Sequence, residues 1–323
     1  MFNFAIMKLI RKVGENNMIR KIERDLVPKV TEFPDNPFEK LDKLPKFITY
    51  LFFRFSIKKI RRMMGGNSKD VTSRKILESE EIITEYGENI KVQVFKPEEN
   101  EKRPLLMFYH GGGFFGGSLS AVADFCRLVS DVANTVVVSV DYRLCPEHKY
   151  PAAVDDSYNA ILWSINNKDT LNIDTNKIRV CGDSAGGTLA AVMTLLAKDK
   201  NEFSIDKQVL IYPATNFNKG VVEKSSTSIA VMKLYLKNYR DANNPYVSPF
   251  HYIDHKDLPE ALICCGEYDF LLEDTLLYAE KLDKANVPIT HITYKNEFHA
   301  FIDDTGNNKN ANDLINEIAK FLT

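Results

Sequence analysis

Residues 178–187 read Ile-Arg-Val-Cys-Gly-Asp-Ser-Ala-Gly-Gly. The apolar start of this stretch is typical of a short buried strand, and the Ala- and Leu-rich residues 185–198 are typical of a helix. The G-x-S-x-G sequence centred on Ser184 therefore lies in the strand–turn–helix context of a nucleophile elbow. Such a turn exposes the serine hydroxyl and points the positive end of the helix at developing negative charge. A turn that only caps a helix is the alternative, but the context favours a nucleophile.

A serine hydroxyl needs a neighbouring base and a carboxylate that orients the base. His299 is the best candidate for the base, because it follows the last predicted strand and precedes the last predicted helix. Asp269 is the best candidate for the carboxylate, because it follows the apolar run 261–265, and Glu267 is a rival two residues away. Open α/β sheets place their sites at the carboxyl ends of strands, where all these residues are expected. The chain order Ser184, Asp269, His299 is the order of an α/β-hydrolase triad.

A run of glycines supplies a candidate oxyanion hole. His110-Gly111-Gly112-Gly113 follows the apolar run 105–109, and glycines let backbone N–H groups converge on one point without side chains in the way. The HGGG loops of lipases and esterases provide such donors together with the residue after the nucleophile. We therefore predict oxyanion donors at Gly111, Gly112 and Ala185. A nucleotide-binding loop is disfavoured, because the glycines match neither a G-x-G-x-x-G nor a G-x-x-x-x-G-K pattern at the start of a helix.

Strand-like and helix-like stretches alternate from about residue 80 onward. Most of the strands are continuous apolar runs, which predicts an α/β architecture with a mostly parallel sheet covered by helices on both faces. The predicted strands are 90–95, 105–109, 135–140, 178–181, 209–212, 261–265 and 289–294, and the predicted helices are 119–132, 153–165, 185–198, 273–285 and 313–322. Residues 1–64, which are basic and helix-like, and residues 214–250, a long excursion between two strands, fit this alternation poorly. Long insertions of this kind are usually lids or binding loops.

The composition excludes several classes of protein. The chain has 323 residues, 44% of them hydrophobic, and a net charge of −2. These values exclude a disordered chain and a small disulfide-stapled scaffold, and they argue against a general nucleic-acid binder. The five cysteines show no C-x-x-C spacing, so we expect reduced, buried thiols in a cytoplasmic protein and no metal site. Neither a signal peptide nor a membrane-spanning run is expected.

At this point the chain resembles the hormone-sensitive-lipase-like α/β-hydrolases, a group that includes bacterial and archaeal acetyl esterases and carboxylesterases. The matching segments occur in family order over about residues 90–320. They are His110–Gly113, Asp141–His148 with Pro151–Ala153, Gly182–Gly187, Tyr212-Pro213, Asp269–Leu271 and His299. The resemblance implies an α/β-hydrolase fold with a helical cap, hydrolysis of esters of short to medium acyl chains, and no cofactor. It assigns Ser184, Asp269 and His299 to the triad and Gly111, Gly112 and Ala185 to the oxyanion hole.

Two positions depart from the family pattern. Ala300 stands where glycine is common, and Phe270 stands where proline is frequent. Neither departure removes a catalytic group. The stretch Asp141-Tyr142-Arg143 is interpreted as a structural brace of the site rather than as a catalytic element.

The resemblance divides the chain into a catalytic domain and a cap. Residues 1–64 are expected to form N-terminal cap helices, residues 65–213 and 251–323 the α/β-hydrolase domain, and residues 214–250 a cap insertion. Several residues of the insertion are candidates for the second half of the acyl or alcohol pocket. They are Met232, Leu234, Tyr235, Tyr239 and Tyr246.

Charge is distributed unevenly between these parts. Residues 1–64 contain 15 Lys+Arg and 7 Asp+Glu, a net charge of +8, and the remainder carries −10. Residues 47–64 place five aromatic side chains among five cations. We favour a cap helix that packs its apolar face over the acyl pocket, and we treat contact of residues 47–64 with an anionic membrane surface as the alternative. The sequence is also compatible with a homodimer.

The expected reaction is acyl transfer from a small-molecule ester to Ser184 and then to water. The alternatives are a catalytically silent ligand-binding protein on the same fold, and an amidase or acyltransferase that uses the same serine. Family relatives that act as receptors lack the catalytic histidine, whereas His299 is present here. The sequence therefore favours an esterase.

Overall fold

One mixed β-sheet forms the centre of the molecule, for which the computed structural model describes residues 19–25, 37–64, 70–98, 101–217 and 225–323. Its strands are β1 (Ile19–Arg24), β2 (Ile76–Ile83), β3 (Ile90–Pro97), β4 (Arg103–Tyr109), β5 (Val136–Asp141), β6 (Ile173–Asp183), β7 (Lys207–Ile211), β8 (Glu260–Gly266) and β9 (Ile289–Tyr294). They lie side by side in the order β1-β9-β8-β7-β6-β4-β5-β3-β2. The β2–β3 and β3–β5 pairs are antiparallel and the other neighbouring pairs are parallel. The carboxyl ends of β4 and of β6 to β9 therefore meet at one edge.

Helices cover the sheet because its strands are apolar on both faces. Within the described residues they are α1 (Pro37–Asp42), α2 (Lys46–Met63), α3 (Leu119–Val132), α4 (Ala152–Asn166), α5 (Lys168–Leu171), α6 (Ala185–Lys200), α7 (Ser226–Tyr235), α8 (Leu272–Lys284) and α9 (Lys309–Leu322), with short 3-10 turns at Tyr239–Asn243, Pro249–His251 and Phe301–Asp304. Strand β4 shows how the two faces are filled. Its Leu105 and Met107 belong to one buried apolar cluster, and its Leu106 and Phe108 belong to the other. Alternation of side chains along a strand thus supplies both cores of a three-layer fold.

Two strands were not expected from the sequence. Residues 1–64 are helix-like in sequence, but Ile19–Arg24 pairs in parallel with β9 at the sheet edge, so the expectation of helix is wrong there. Arg24 holds this strand in place by ion pairs to Asp313 and Glu317 of α9, at 3.0 and 2.5 Å. Strand β2 was missed because most of its residues are exposed and three of the eight are glutamates.

The segments predicted to form the cap contact one another where α1 and α2 meet α7. Helix α2 packs against α7, and Asp42 at the end of α1 accepts hydrogen bonds of 2.8 Å from Ser225 Oγ and from the Thr227 amide. The expected N-terminal cap helices thus lie within the described residues only over 37–64, and residues 1–18, 26–36, 65–69 and 218–224 lie outside them. Among the helices that the structure describes, none is both long and apolar enough to cross a bilayer.

Candidate active site

Ser184 lies at the sharp turn between β6 and α6. Its φ of 52° and ψ of −117° place a non-glycine residue in a rarely populated region, at a cost of about 1–3 kcal/mol that the surrounding structure must offset. The flanking glycines make the turn possible, because a Cβ at Gly186 would lie 1.8 Å from the Tyr109 carbonyl oxygen. The backbone of the turn is fixed by a hydrogen bond of 2.9 Å from the Ser184 amide to the Ile211 carbonyl of β7. The elbow predicted from the sequence is therefore present.

The structure brings Ser184, His299 and Asp269 into one chain of hydrogen bonds. His299 Nε2 is 2.9 Å from Ser184 Oγ, and His299 Nδ1 lies 2.8 and 3.0 Å from the two carboxylate oxygens of Asp269. Asp269 follows β8 and His299 follows β9, so strand ends carry both residues to the serine. The Asp269 side chain is fully buried, and its Oδ1 accepts a further hydrogen bond of 2.7 Å from the Leu271 amide. This arrangement is the one that activates a serine nucleophile.

Asp269 and its rival Glu267 have different partners. Glu267 Oε2 accepts a hydrogen bond of 3.0 Å from the Asn296 amide, and it is the Asp269 carboxylate that lies against the imidazole. Glu267 thus fixes the loop that leads from β9 to His299, whereas Asp269 is in position to orient the ring.

The electrostatic surroundings favour a positive charge on His299. Burial of the ring acts to lower the pKa of His299, but the Asp269 carboxylate beside it, aided by Asp183 and Asp303, raises that pKa above the ordinary value for histidine. A raised pKa stabilises the imidazolium that forms when the ring takes the serine proton. The rings of Tyr212 and Phe270 flank the imidazole, with centroids 4.7 and 4.5 Å from its own.

Asp183, which precedes the serine, ties the glycine loop to the elbow. Its Oδ1 accepts a hydrogen bond of 2.7 Å from the Gly111 amide. Burial and the neighbouring charge of Asp303 raise the pKa of Asp183 to about 7. The sequence indicated no role for Asp183, because the G-x-S-x-G pattern does not specify which backbone amide the side chain at its second position will bind.

The Gly111–Asp183 contact corrects one predicted oxyanion donor. A backbone N–H directed at Asp183 does not face a substrate oxygen, so Gly111 is not in position to serve as predicted. Gly112 and Gly113 follow it with φ of 114° and 61°, and a Cβ at Gly112 would lie 2.3 Å from the backbone of Gly116. Gly113 is therefore the candidate that sequence reasoning missed. Its only sequence signal was membership of the same glycine run, which does not indicate the direction of each amide.

The stretch Asp141-Tyr142-Arg143, which was predicted to brace the site, makes polar contacts with its surroundings. Tyr142 donates a hydrogen bond of 2.6 Å to the His110 carbonyl, and the two rings stack at 4.3 Å. Arg143 binds the fully buried carboxylate of Asp156 with distances of 2.8 to 3.0 Å. The Tyr142 contact holds His110, where the glycine loop begins, and the Arg143 contact ties the brace to α4.

The cap is anchored beside the same loop by Arg61, which the sequence did not single out. Arg61 donates hydrogen bonds of 2.7 Å to the Phe115 carbonyl and 2.8 Å to the Cys145 carbonyl. Its guanidinium also pairs with Glu147 at 2.6 Å. Helix α7 approaches from the other side, where Val231 would lie 3.6 Å from a Cβ at Gly113.

The candidate pocket residues of the insertion separate into two groups. Tyr235 stacks on Phe114, directly after the glycine run, with ring centroids 3.9 Å apart, while Met232 and Leu234 are buried in the core. Tyr246 instead donates a hydrogen bond of 2.6 Å to Asp199, near the far end of α6. Since α6 rises about 1.5 Å per residue, Asp199 lies roughly 22 Å from Ser184. The structure therefore places Tyr235 near the site and Tyr246 away from it, and Tyr239 is exposed on the surface.

Comparison with known proteins identifies the family of the chain. A family model described as the α/β-hydrolase fold matches residues 106–303. The chain belongs to the α/β-hydrolases. The predicted fold class and the predicted resemblance to the hormone-sensitive-lipase-like group are thereby confirmed.

Individual relatives of this hydrolase are named for activity on esters. An arylesterase of Saccharolobus solfataricus is 31% identical over 242 residues, which cover 72% of this chain and 79% of the relative. The carboxylesterase NlhH of Mycobacterium tuberculosis is 34% identical over 230 residues, which cover 66% of this chain and 72% of the relative. Among solved structures, an esterase of Pyrobaculum calidifontis is 33% identical and has a TM-score of 0.73. The match covers 87% of this chain and 93% of the esterase chain.

Side chains that could bind a metal ion do not cluster among the described residues. In the parts of the chain that the structure describes, no group of three or more His, Cys, Asp or Glu residues is arranged to hold a metal ion.

Proposed function

We propose that this hydrolase cleaves carboxylic esters of short to medium acyl chains through an acyl-enzyme on Ser184. The proposal rests on one observation above all, the hydrogen-bond chain from Ser184 Oγ through His299 to Asp269. The esterase names of its relatives support the same class of substrate. A small-molecule ester is thus the expected partner of the site, and no cofactor takes part in the reaction.

The first half of the reaction is acylation. Ser184 Oγ attacks the ester carbonyl while His299 Nε2 takes the hydroxyl proton, and Asp269 stabilises the resulting imidazolium. The negative oxygen of the tetrahedral intermediate is held by the amides of Gly112, Gly113 and Ala185, at the start of helix α6. The imidazolium then gives its proton to the departing alcohol, which leaves the acyl group on Ser184.

Deacylation repeats these steps with water. His299 takes a proton from a water molecule, which attacks the acyl carbonyl, and the carboxylic acid leaves as Ser184 regains its proton. The strained elbow contributes to both halves, because it holds the nucleophile in one position before substrate binds.

The cysteines bear on where the protein acts. All five are buried and free, as expected for thiols that serve as small apolar side chains in a reducing compartment. We place the enzyme in the cytoplasm on this basis.

A panel of p-nitrophenyl esters from acetate to palmitate tests the proposed function. We expect the highest kcat/KM within the short to medium chains, and Ser184→Ala should lower kcat by about 10⁴–10⁶. Equal hydrolysis of every ester by the wild-type enzyme and the Ser184→Ala variant would exclude this serine as the nucleophile. Absence of hydrolysis by the wild-type enzyme, with ester bound at the site, would favour a silent binding protein.

A further inference from the structure

Within the described residues, helix α2 packs against the rest of the protein through one face. Thr49, Phe53 and Ile57, each four residues apart, form the buried stripe. Phe53 contacts Phe115 edge to face, with ring centroids 5.4 Å apart. The interpretation favoured from the sequence, a cap helix with an apolar face toward the domain, therefore describes this stripe but not the rest of the helix.

The opposite face of α2 carries large apolar side chains in contact with water. Ile48, Phe52 and Phe55 are spaced four and three residues apart, so they share one side of the helix. Phe55 is 82% exposed, and Phe47 and Met63 near the two ends of the helix are 65% and 76% exposed. Monomeric soluble proteins rarely expose several large apolar side chains in one area unless that area binds something.

The charge of α2 indicates what the partner carries. The helix contains six cations and no acidic residue, and one of them, Arg61, is occupied in the anchor to Glu147. The other five are exposed on the surface. They are Lys46, Arg54, Lys58, Lys59 and Arg62. A helix that is aromatic and carries only basic charges is complementary to a partner with an anionic surface and an apolar interior.

We propose that the exposed face of α2 docks onto an anionic lipid surface, with Phe47, Phe52 and Phe55 inserted among the lipids and the cations on their headgroups. Aromatic and aliphatic side chains of an amphipathic helix enter the boundary between headgroups and acyl chains, and Lys or Arg on the same helix bind anionic lipid. A second copy of the chain is a poorer occupant of this face. Two-fold pairing of this helix would bring the five exposed cations of one copy toward the same five of the other, with no acidic residue of α2 between them.

The docked helix lies beside the candidate active site. Arg61 and Phe53 hold α2 to Phe115, two residues after Gly113. A membrane contact through the outer face therefore leaves the inner face packed on the loop that carries the oxyanion donors. Esters dissolved in a lipid surface would then reach the enzyme from the side on which it docks.

Vesicle flotation of the full chain tests this proposal without using activity. The probes are vesicles of phosphatidylcholine alone and of phosphatidylcholine with about a third phosphatidylglycerol, at low salt and at about 1 M salt. Each cation near an anionic surface contributes about five-fold to binding, so we expect at least ten-fold more protein on anionic vesicles. High salt should remove most of this difference, since the screening length falls to about 3 Å.

Matched variants separate the contribution of α2 from general stickiness. Phe47→Ser/Phe55→Ser and Lys58→Glu/Lys59→Glu should each lower anionic binding by about ten-fold or more, while the hydrolysis of soluble p-nitrophenyl acetate stays unchanged. The controls alter one exposed apolar residue and two exposed lysines outside α2. They are Ile253→Ser, at a position 99% exposed, and Lys168→Glu/Lys177→Glu, near the amino end of β6.

Each outcome decides the proposal. Binding that is lost in both cap variants and kept in both controls supports it, and Ser184→Ala should bind vesicles like the wild-type enzyme, so this result is independent of the proposed function. Equal binding to neutral and anionic vesicles, or equal losses in the control variants, would overturn it. A third result would also overturn the proposal: the protein binds no vesicles but forms a concentration-dependent dimer, and the Phe47→Ser/Phe55→Ser variant abolishes that dimer.

Discussion

The triad and helix α2 depart in opposite ways from the usual pattern of apolar side chains inside a protein and polar side chains outside. At the triad, polar groups are buried or half-buried, and Ser184, His299 and Asp269 each have a hydrogen-bond partner within 3.0 Å. On the outer face of α2, aromatic rings lie in water, with Phe55 82% exposed. Buried charge and exposed apolar surface both cost free energy, and proteins retain them where they serve a function. We therefore assign the chemistry to the first region and contact with a lipid surface to the second.

The largest expected effect lies at the carboxylate of the triad. Asp269→Asn keeps the size of the side chain but removes the charge that stabilises the His299 imidazolium, so kcat should fall by about 10⁴. Glu267→Gln is the matched control, because it removes a carboxylate two residues away that contacts the Asn296 amide instead. Steady-state kinetics of the two variants provide the measurement, and a larger loss in Glu267→Gln would reverse the assignment.

The pH profile sharpens the same assignment. His299 must be neutral to accept the serine proton, so kcat/KM should rise with pH through the His299 pKa. Because Asp269 and the neighbouring carboxylates raise that pKa, the rise should be centred above the ordinary histidine pKa of about 6.5. In Asp269→Asn the inflection should move to lower pH, and an inflection that stays in place would show that another carboxylate controls the ring.

Asp183 is expected to have a smaller effect because it acts through Gly111. Asp183→Ala removes the acceptor of the Gly111 amide and loosens the loop that carries Gly112 and Gly113. We expect kcat to fall by about 10²–10³, comparable with the loss of one oxyanion donor, with little change in KM. Asp183→Asn keeps an acceptor oxygen and should recover most of this loss. Equal losses in the two variants would indicate that charge, rather than loop position, is the contribution of Asp183.

The smallest effect is expected where the two regions meet. Arg61→Met removes hydrogen bonds to the Phe115 and Cys145 carbonyls, which should lower the free energy of unfolding by about 1–3 kcal/mol. KM should rise several-fold, because the cap is less firmly seated, while kcat stays within about three-fold. The control Arg62→Met removes the same charge from an exposed position of the same helix. Denaturant unfolding and kinetics of both variants test the anchor, and identical behaviour would contradict it.

The chemistry at the sheet edge could be predicted because local sequence and chain order constrain it. Ser184, Asp269 and His299 each follow a recognisable strand, and strand ends converge in a parallel sheet. The direction of individual amides could not be predicted, and Gly111 was assigned a role that its contact with Asp183 precludes. That contact joins residues 72 positions apart, so no local pattern reports it.

Prediction was weaker in the N-terminal segment because long-range pairing determines its structure. Ile19–Arg24 has apolar residues three apart, as a helix would, yet it becomes a strand because β9 offers an open edge. The charge asymmetry pointed to α2, but the sequence could not divide its aromatics between the buried stripe and the exposed face. Phe53 and Phe55 are only two positions apart, yet Phe53 lies in the buried stripe at 0% exposure and Phe55 lies on the exposed face at 82%.

Covalent trapping of the nucleophile tests the central claim most directly. The enzyme is treated with a p-nitrophenyl alkylphosphonate, in which attack of a serine oxygen forms an O–P bond and releases p-nitrophenolate. The adduct is then located by peptide mass spectrometry. We predict one phosphonyl group per chain on Ser184, complete loss of ester hydrolysis as labelling reaches completion, and no adduct in Ser184→Ala. An adduct on a different residue, or hydrolysis that persists after Ser184 is fully labelled, would contradict the proposed mechanism.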